Sequence, residues 1–230
     1  MTRIGFLIFP GMLQLDCTGA YGVLAAGPDV TIHLVWKDLS PIRTSDKLLM
    51  VPDTAIADCP QLDVVVVPGG GGVVHLMNDA VVLEFLRHQS GKASWITSVC
   101  TGALVLGAAG LLDGYNATTH WLSLDLLPLF GANPVRQRVV RDRNRITGAG
   151  VTSGIDMALT LAGALWSDPV AEQIQLNMEY DPKPPYHAGN PETAPEEIVA
   201  TMRNHSAARQ AERRVAAVAA AKRLRGNEGL

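Results

Sequence analysis

Four consecutive valines, Val64 to Val67, stand between Asp63 and Pro68 and run straight into Gly69-Gly70-Gly71-Gly72. A half-exposed strand alternates apolar and polar residues. An unbroken β-branched run fits a central parallel strand covered on both faces. Helices must therefore flank the sheet, and the remaining segments supply them. Ile4 to Phe9 reads as a buried strand turned by Pro10-Gly11, and Asp16-Cys17-Thr18 opens a helix to about Ala26. Val30 to Trp36 is a second strand, and Leu48 to Val51 a short extended piece. Asp79 caps a helix to about Gln89, and a further strand ends at Cys100, followed by a helix from Gly102 to Ala109. Val139 to Asp142 and Arg145 to Thr147 form a hairpin around Arg143-Asn144. Helices then cover Gly154 to Trp166, Pro169 to about Met178 and Glu196 to about Arg225. This alternation predicts a doubly wound α/β fold with a largely parallel sheet.

In such sheets the ligand site lies beyond the carboxyl ends of the strands. The ends of the first strand, the valine strand and the strand into Cys100 would bring Asp16, Gly69-Gly70 and Cys100 to one rim. In Ser94-Trp95-Ile96-Thr97-Ser98-Val99-Cys100-Thr101-Gly102 the thiol falls at the strand-to-helix corner. A helix N-terminus there favours thiolate over thiol, and Cys100 is the candidate nucleophile. Cys17 and Cys59 are expected to pack. Asp16 is either an ordinary helix cap or a carboxyl desolvated beside Leu15 and raised toward acid–base use. The glycine run lacks the spacing of a nucleotide loop. Its use would be backbone approach to a developing anion, with the Gly70 and Thr101 amides as the hole. His120 stands in Ala117-Thr118-Thr119-His120-Trp121 and is either a base for the thiol or a structural histidine. Gly150, Val151 and Thr152 start a helix at the same rim and would line the pocket.

A net charge of −3 with 18% charged residues gives no global signature of nucleic-acid binding or disorder. Three cysteines without CxxC or CxxH spacing argue against a disulfide framework or zinc site, and no metal is expected. The start of the chain lacks the pattern of a secretory signal, and the apolar run from Ala103 to Leu112 is too short to span a bilayer. A cytoplasmic protein without membrane or nucleic-acid partners is expected. The last helix carries Arg203, Arg209, Arg213, Arg214, Lys222, Arg223 and Arg225 among many alanines. These read as a solvated face, with the opposite side packed on the body or on a second subunit.

Val64-Val65-Val66-Val67-Pro68-Gly69-Gly70, Ser98-Val99-Cys100-Thr101-Gly102 and Ala117-Thr118-Thr119-His120-Trp121 together resemble the ThiJ/PfpI superfamily over about residues 3 to 180. That resemblance implies a flavodoxin-like sandwich, a cysteine on a nucleophile elbow and a homodimer. Residues 1–180 would form the α/β domain, and 181–230 a loop and helix laid on the body or on a second subunit. Leu13-Gln14-Leu15-Asp16, the loop from Glu179 to Pro195 and the terminal helix are similar to the isocyanide hydratase branch. AraC-type regulators share the Asp and the Thr-Thr-His-Trp pattern, but the fifty or so residues after Tyr180 are too few for their DNA-binding region.

The branch implies a hydro-lyase that needs no cofactor. Cys100 thiolate attacks the terminal carbon of an isocyanide, and Asp16 supplies a proton to give a thioimidate. Asp16 then positions or deprotonates water, which attacks the same carbon. Collapse releases an N-substituted formamide. His120 is left a supporting role. The alternatives are a glyoxalase-like thiol enzyme of the same superfamily and a redox-sensing binding module built on an oxidisable Cys100.

Overall fold

The computed structural model describes residues 1–227. In chain order it contains β1 (Thr2–Leu7), α1 (Gln14–Leu24), β2 (Val30–Trp36), β3 (Ile42–Arg43), β4 (Leu49–Met50) and β5 (Thr54–Ala55). Then come β6 (Val64–Val67), α2 (Val73–Leu76), α3 (Ala80–Ser90), β7 (Trp95–Val99), α4 (Gly102–Ala108) and β8 (Asn116–Ala117). A 3-10 segment (Trp121–Phe130) leads to β9 (Asn133–Pro134), β10 (Val139–Asp142), β11 (Arg145–Gly148), α5 (Ser153–Leu165), α6 (Asp168–Asn177) and α7 (Glu196–Asn227).

One seven-stranded sheet has the order β10-β11-β7-β6-β1-β2-β5. Every neighbouring pair in it is parallel except the β10–β11 hairpin at one edge. The valine strand β6 lies between β1 and β7 and is buried along its whole length. This is the doubly wound, largely parallel α/β arrangement that the valine run and the alternating elements predict, and it agrees with the flavodoxin-like sandwich that the resemblance implies. The core joins β1, β6 and β7 to the apolar faces of α1, α3, α4 and α5.

Local chemistry accounts for two of the boundaries. The Asp79 carboxylate caps α3 by accepting from the Val82 amide at 3.3 Å. The β10–β11 turn is made by Arg143 at φ 51°. Two expectations are corrected. Asp16 does not cap α1: the helix begins two residues earlier, at Gln14, and the flanking Leu13 makes no side-chain cap. Backbone pairing fixes this start instead, because the Leu13 amide donates to Gly69 O at 2.9 Å. The face of α7 is also not uniformly solvated in its basic residues, since Arg213 is buried with only 4% exposure. The helix packs on α2, α4 and the 3-10 segment, burying Ser206, Ala217 and Ala220.

Candidate active site

The carboxyl ends of β6 and β7 and the start of α1 meet as the topology requires, bringing Asp16, Gly69, Gly70, Cys100 and Thr101 together. Cys100 follows the last residue of β7 with φ +54°, a left-handed conformation that costs a non-glycine residue on the order of 1–3 kcal/mol. Surrounding hydrogen bonds hold it there. Its amide donates to Gly148 O at 3.0 Å, and the Thr119 hydroxyl donates to its carbonyl at 2.7 Å. Gly102 lets α4 start directly against β6, since a Cβ there would lie 2.0 Å from Val67 O. The sharp corner is thus written into Cys100-Thr101-Gly102.

Asp16 is fully buried in the first turn of α1. The Gly69 amide donates to its Oδ2 at 2.9 Å, while Oδ1 has no hydrogen-bond partner among the described residues. Burial raises the carboxyl from 3.8 to about 7, against the opposing pull of the Gly69 amide and the Cys100 thiol. Only glycine fits at 69. A Cβ would lie 2.6 Å from the Thr101 nitrogen and 2.8 Å from Asp16 Oδ2.

The Cys100 thiol is almost fully buried, with 6% exposure. Burial pushes its pKa well above the ordinary thiol value, and the Asp16 charge pushes it further. The Thr101 amide, the Arg213 charge and the Thr101 hydroxyl act in the opposite direction. The helix-start contribution therefore exists but does not prevail at rest. α4 is only seven residues long, and its amide works against desolvation and a carboxylate together. Burial and the Asp16 charge thus oppose the thiolate, and the titrations of Cys100 and Asp16 are coupled.

The two amides expected to form an anion hole differ. The Thr101 amide faces the sulfur. The Gly70 amide is engaged, donating to Thr101 Oγ1 at 3.0 Å from a backbone at φ +134°. Gly70 instead helps hold α1 against the elbow, pairing with Met12 in an antiparallel bridge. Gly69, which sequence reasoning left at the rim without a role, is the residue whose amide holds Asp16.

His120 caps the 3-10 segment, its Nδ1 accepting from the Leu122 amide at 3.3 Å. Burial, then the charges of Arg213 and Arg209, lower its pKa to about 4. The ring is neutral at working pH, and its spare proton sits on Nε2. Gly150 approaches this ring, since a Cβ there would lie 3.6 Å from His120 Cδ2. Val151 and Thr152 lead into α5, and Thr152 Oγ1 accepts from Arg138 at 3.2 Å. Next along, Gly154 packs on Val99 and near the Asp16 carbonyl.

A cavity of about 670 Å³ opens between the 3-10 segment and α7, walled by Trp121, Leu124, Arg136, Arg203 and Gln210; its walls include neither Cys100 nor Asp16. Among the described residues no group of three His, Cys, Asp or Glu side chains is set to hold a metal ion. No helix among them is long and apolar enough to cross a membrane.

A strained cysteine at a strand-to-helix corner of a parallel sheet, with a buried carboxyl beside it, defines a class of α/β protein with a nucleophile elbow. The chain belongs to the DJ-1/PfpI family, whose model matches residues 2–164. It is 56% identical over 205 residues to an isonitrile hydratase from Pseudomonas putida, covering 89% of this chain and 90% of the relative. It is 32% identical to the HTH-type transcriptional regulator GbdR of Pseudomonas aeruginosa, over 86% of this chain and 59% of that regulator. The crystal structure of a ThiJ/PfpI family protein from Pseudomonas syringae superposes with a TM-score of 0.92 at 42% identity, covering 94% of this chain and 90% of the other.

Proposed function

We propose that this protein is an isocyanide hydratase, a hydro-lyase with Cys100 as nucleophile and Asp16 as general acid and base. The observation that carries the proposal is the buried Asp16–Cys100 pair. The 56% identity to the Pseudomonas putida isonitrile hydratase supports it. A carboxyl lifted to about 7 both takes and gives protons near neutrality. Asp16 carboxylate accepts the thiol proton as sulfur bonds to the terminal carbon of the isocyanide. The same proton passes from Asp16 to that carbon, leaving a neutral thioimidate on Cys100. Asp16, again ionised, takes a proton from water as its oxygen attacks the thioimidate carbon. Asp16 passes that proton to the nitrogen, the carbon–sulfur bond breaks as the added hydroxyl becomes the carbonyl and gives its proton back to the sulfur through Asp16, and the formamide departs from a regenerated thiol. The Thr101 amide stabilises charge on sulfur throughout.

The Gly70 amide joins this role only by exchanging its bond to Thr101 Oγ1. His120, neutral and engaged in capping, supports the 119–123 segment rather than acting as the base. Gly150, Val151 and Thr152 form the α5 side of the pocket. The reaction balances without a metal or organic cofactor.

We read residues 1–180 as the α/β domain and 181–230, whose last three residues lie outside the described residues, as a segment whose loop and helix α7 are applied to it, a reading supported by the packing of α7 on α2, α4 and the 3-10 segment. A cytoplasmic homodimer is proposed with it. An exposed stripe on α7, including Val215 at 72% exposure, is apolar surface that a second copy would cover.

The test is incubation with an aryl isocyanide. Formation of the N-aryl formamide, with a Cys100-bound adduct caught by mass spectrometry, is the expected result. Absence of formamide from the folded wild type would refute the proposal, and consumption of methylglyoxal in its place would point to the glyoxalase-like chemistry.

A further inference from the structure

Arg213 is a cation in an unusual position. It comes from the middle of α7, yet it is 4% exposed, and its Nε has no hydrogen-bond partner among the described residues. No carboxylate among those residues lies within ion-pair distance of it. Its neighbour Arg214 shows the ordinary arrangement, pairing with Asp125 on the surface. A buried charge is retained only when something compensates it.

The contacts that Arg213 does make lead to the elbow. Its Nη1 donates to Ser123 Oγ at 3.1 Å, and Ser123 in turn donates to Gln210 Oε1 at 3.1 Å. The Ser123 amide donates to His120 O at 2.8 Å, and the Thr119 hydroxyl beside it donates to the Cys100 carbonyl. Hydrogen bonds at the two ends of the 119–123 backbone thus tie the guanidinium to Ser123 and Thr119 to the strained backbone of the cysteine. The charged and titratable groups bearing on this region are Asp16 from α1, Cys100 at the elbow, His120 beside the 3-10 segment, and Arg209, Glu212 and Arg213 from α7. Among them, Arg213 is the cation whose charge acts on the Cys100 thiol.

We propose that Arg213 is a positioning residue of the cysteine site: its buried guanidinium fixes the 119–123 segment that holds Cys100 and supplies positive charge that favours an anion on the sulfur. The proposal rests on Cys100 as the reactive thiol. It explains why a cation with no ion-pair partner among the described residues is buried. Its counterion is transient, appearing when the thiol gives up its proton.

The test is the rate of iodoacetamide alkylation at Cys100, located by mass spectrometry, between pH 5 and pH 10. Arg213→Gln keeps a donor for Ser123 and removes the charge; Arg213→Lys keeps the charge. Alkylation of Arg213→Gln at pH 7 should fall about tenfold, its profile displaced to higher pH by about one unit. Arg213→Lys should stay within about threefold of wild type. Gln210→Glu, which sets a carboxylate on the other side of Ser123, should slow alkylation at least threefold with Arg213 in place. The proposal is overturned if Arg213→Gln matches wild type, or if Arg213→Lys falls as far as Arg213→Gln. If Arg213→Gln does not fold, an unchanged Gln210→Glu profile overturns it. Alkylation reports the thiolate whether or not an isocyanide is turned over, so this failure is distinct from absence of formamide formation.

Discussion

Two buried cysteines flank Asp16, alike in burial and in the carboxyl beside them but unlike in backbone and surroundings. Cys17 lies inside the regular helix α1, and burial followed by the Asp16 charge pushes its thiol up to about 12. Cys100 is subject to the same two influences, but it sits at a left-handed corner with the Thr101 amide against it and Arg213 acting on it. Burial and a nearby carboxylate by themselves disarm a thiol. Backbone geometry, an opposed amide and a cation are what give one of the two a route to thiolate.

The strongest way to break this contrast is to remove each sulfur in turn. Cys100→Ala should lower formamide formation by at least a thousandfold, whereas Cys17→Ala should keep activity within about threefold and cost about 1–2 kcal/mol in a denaturant titration. Equal losses of activity would erase the distinction.

Asp16→Asn tests the carboxyl that both cysteines share. Hydration should drop about a hundredfold or more, and the wild-type rise in rate through pH 7 should vanish, because the ionised carboxyl is the form that accepts the thiol proton. The stability effect has the opposite sign. Folded Asp16 binds its proton more tightly than the unfolded chain does, so wild-type stability is lost as pH climbs from 3.8 through about 7. On the order of 4 kcal/mol is involved. Asp16→Asn should therefore melt higher than wild type at pH 8, with the gap closing toward pH 4.

Gly69→Ala sharpens the same point at the backbone. The added methyl meets the Thr101 nitrogen and Asp16 Oδ2, so kcat should fall about tenfold, with a loss of about 1–3 kcal/mol in stability. His120→Asn carries the smallest effect. A capping acceptor is retained, and hydration should remain within about fivefold with an unmoved pH profile, since a ring of pKa about 4 does not titrate in that range.

What could be read from the chain followed from local physics. The valine run, the Asp79 cap and the small residues after Cys100 each have one good structural solution, and the sheet and its elbow followed from them. Asp16 was harder, because an aspartate at a helix start has the appearance of a cap. Only the pairing of Leu13 with Gly69 shows that the helix begins earlier and turns the carboxyl inward. The 3-10 segment was not legible, since Trp121 to Phe130 has no helical period and contains Pro128. Arg213 was hidden in composition. A helix of alanines and arginines does not declare which face meets the body until the partner surface is known.

The span matched by the family model ends at residue 164, whereas the guanidinium bearing on the sulfur comes from α7. The cysteine elbow and the buried carboxyl lie inside that span, and Arg213 lies outside it. A relative could keep every residue of the elbow and the carboxyl while exchanging its terminal helix, and so retune the thiol without disturbing the sheet.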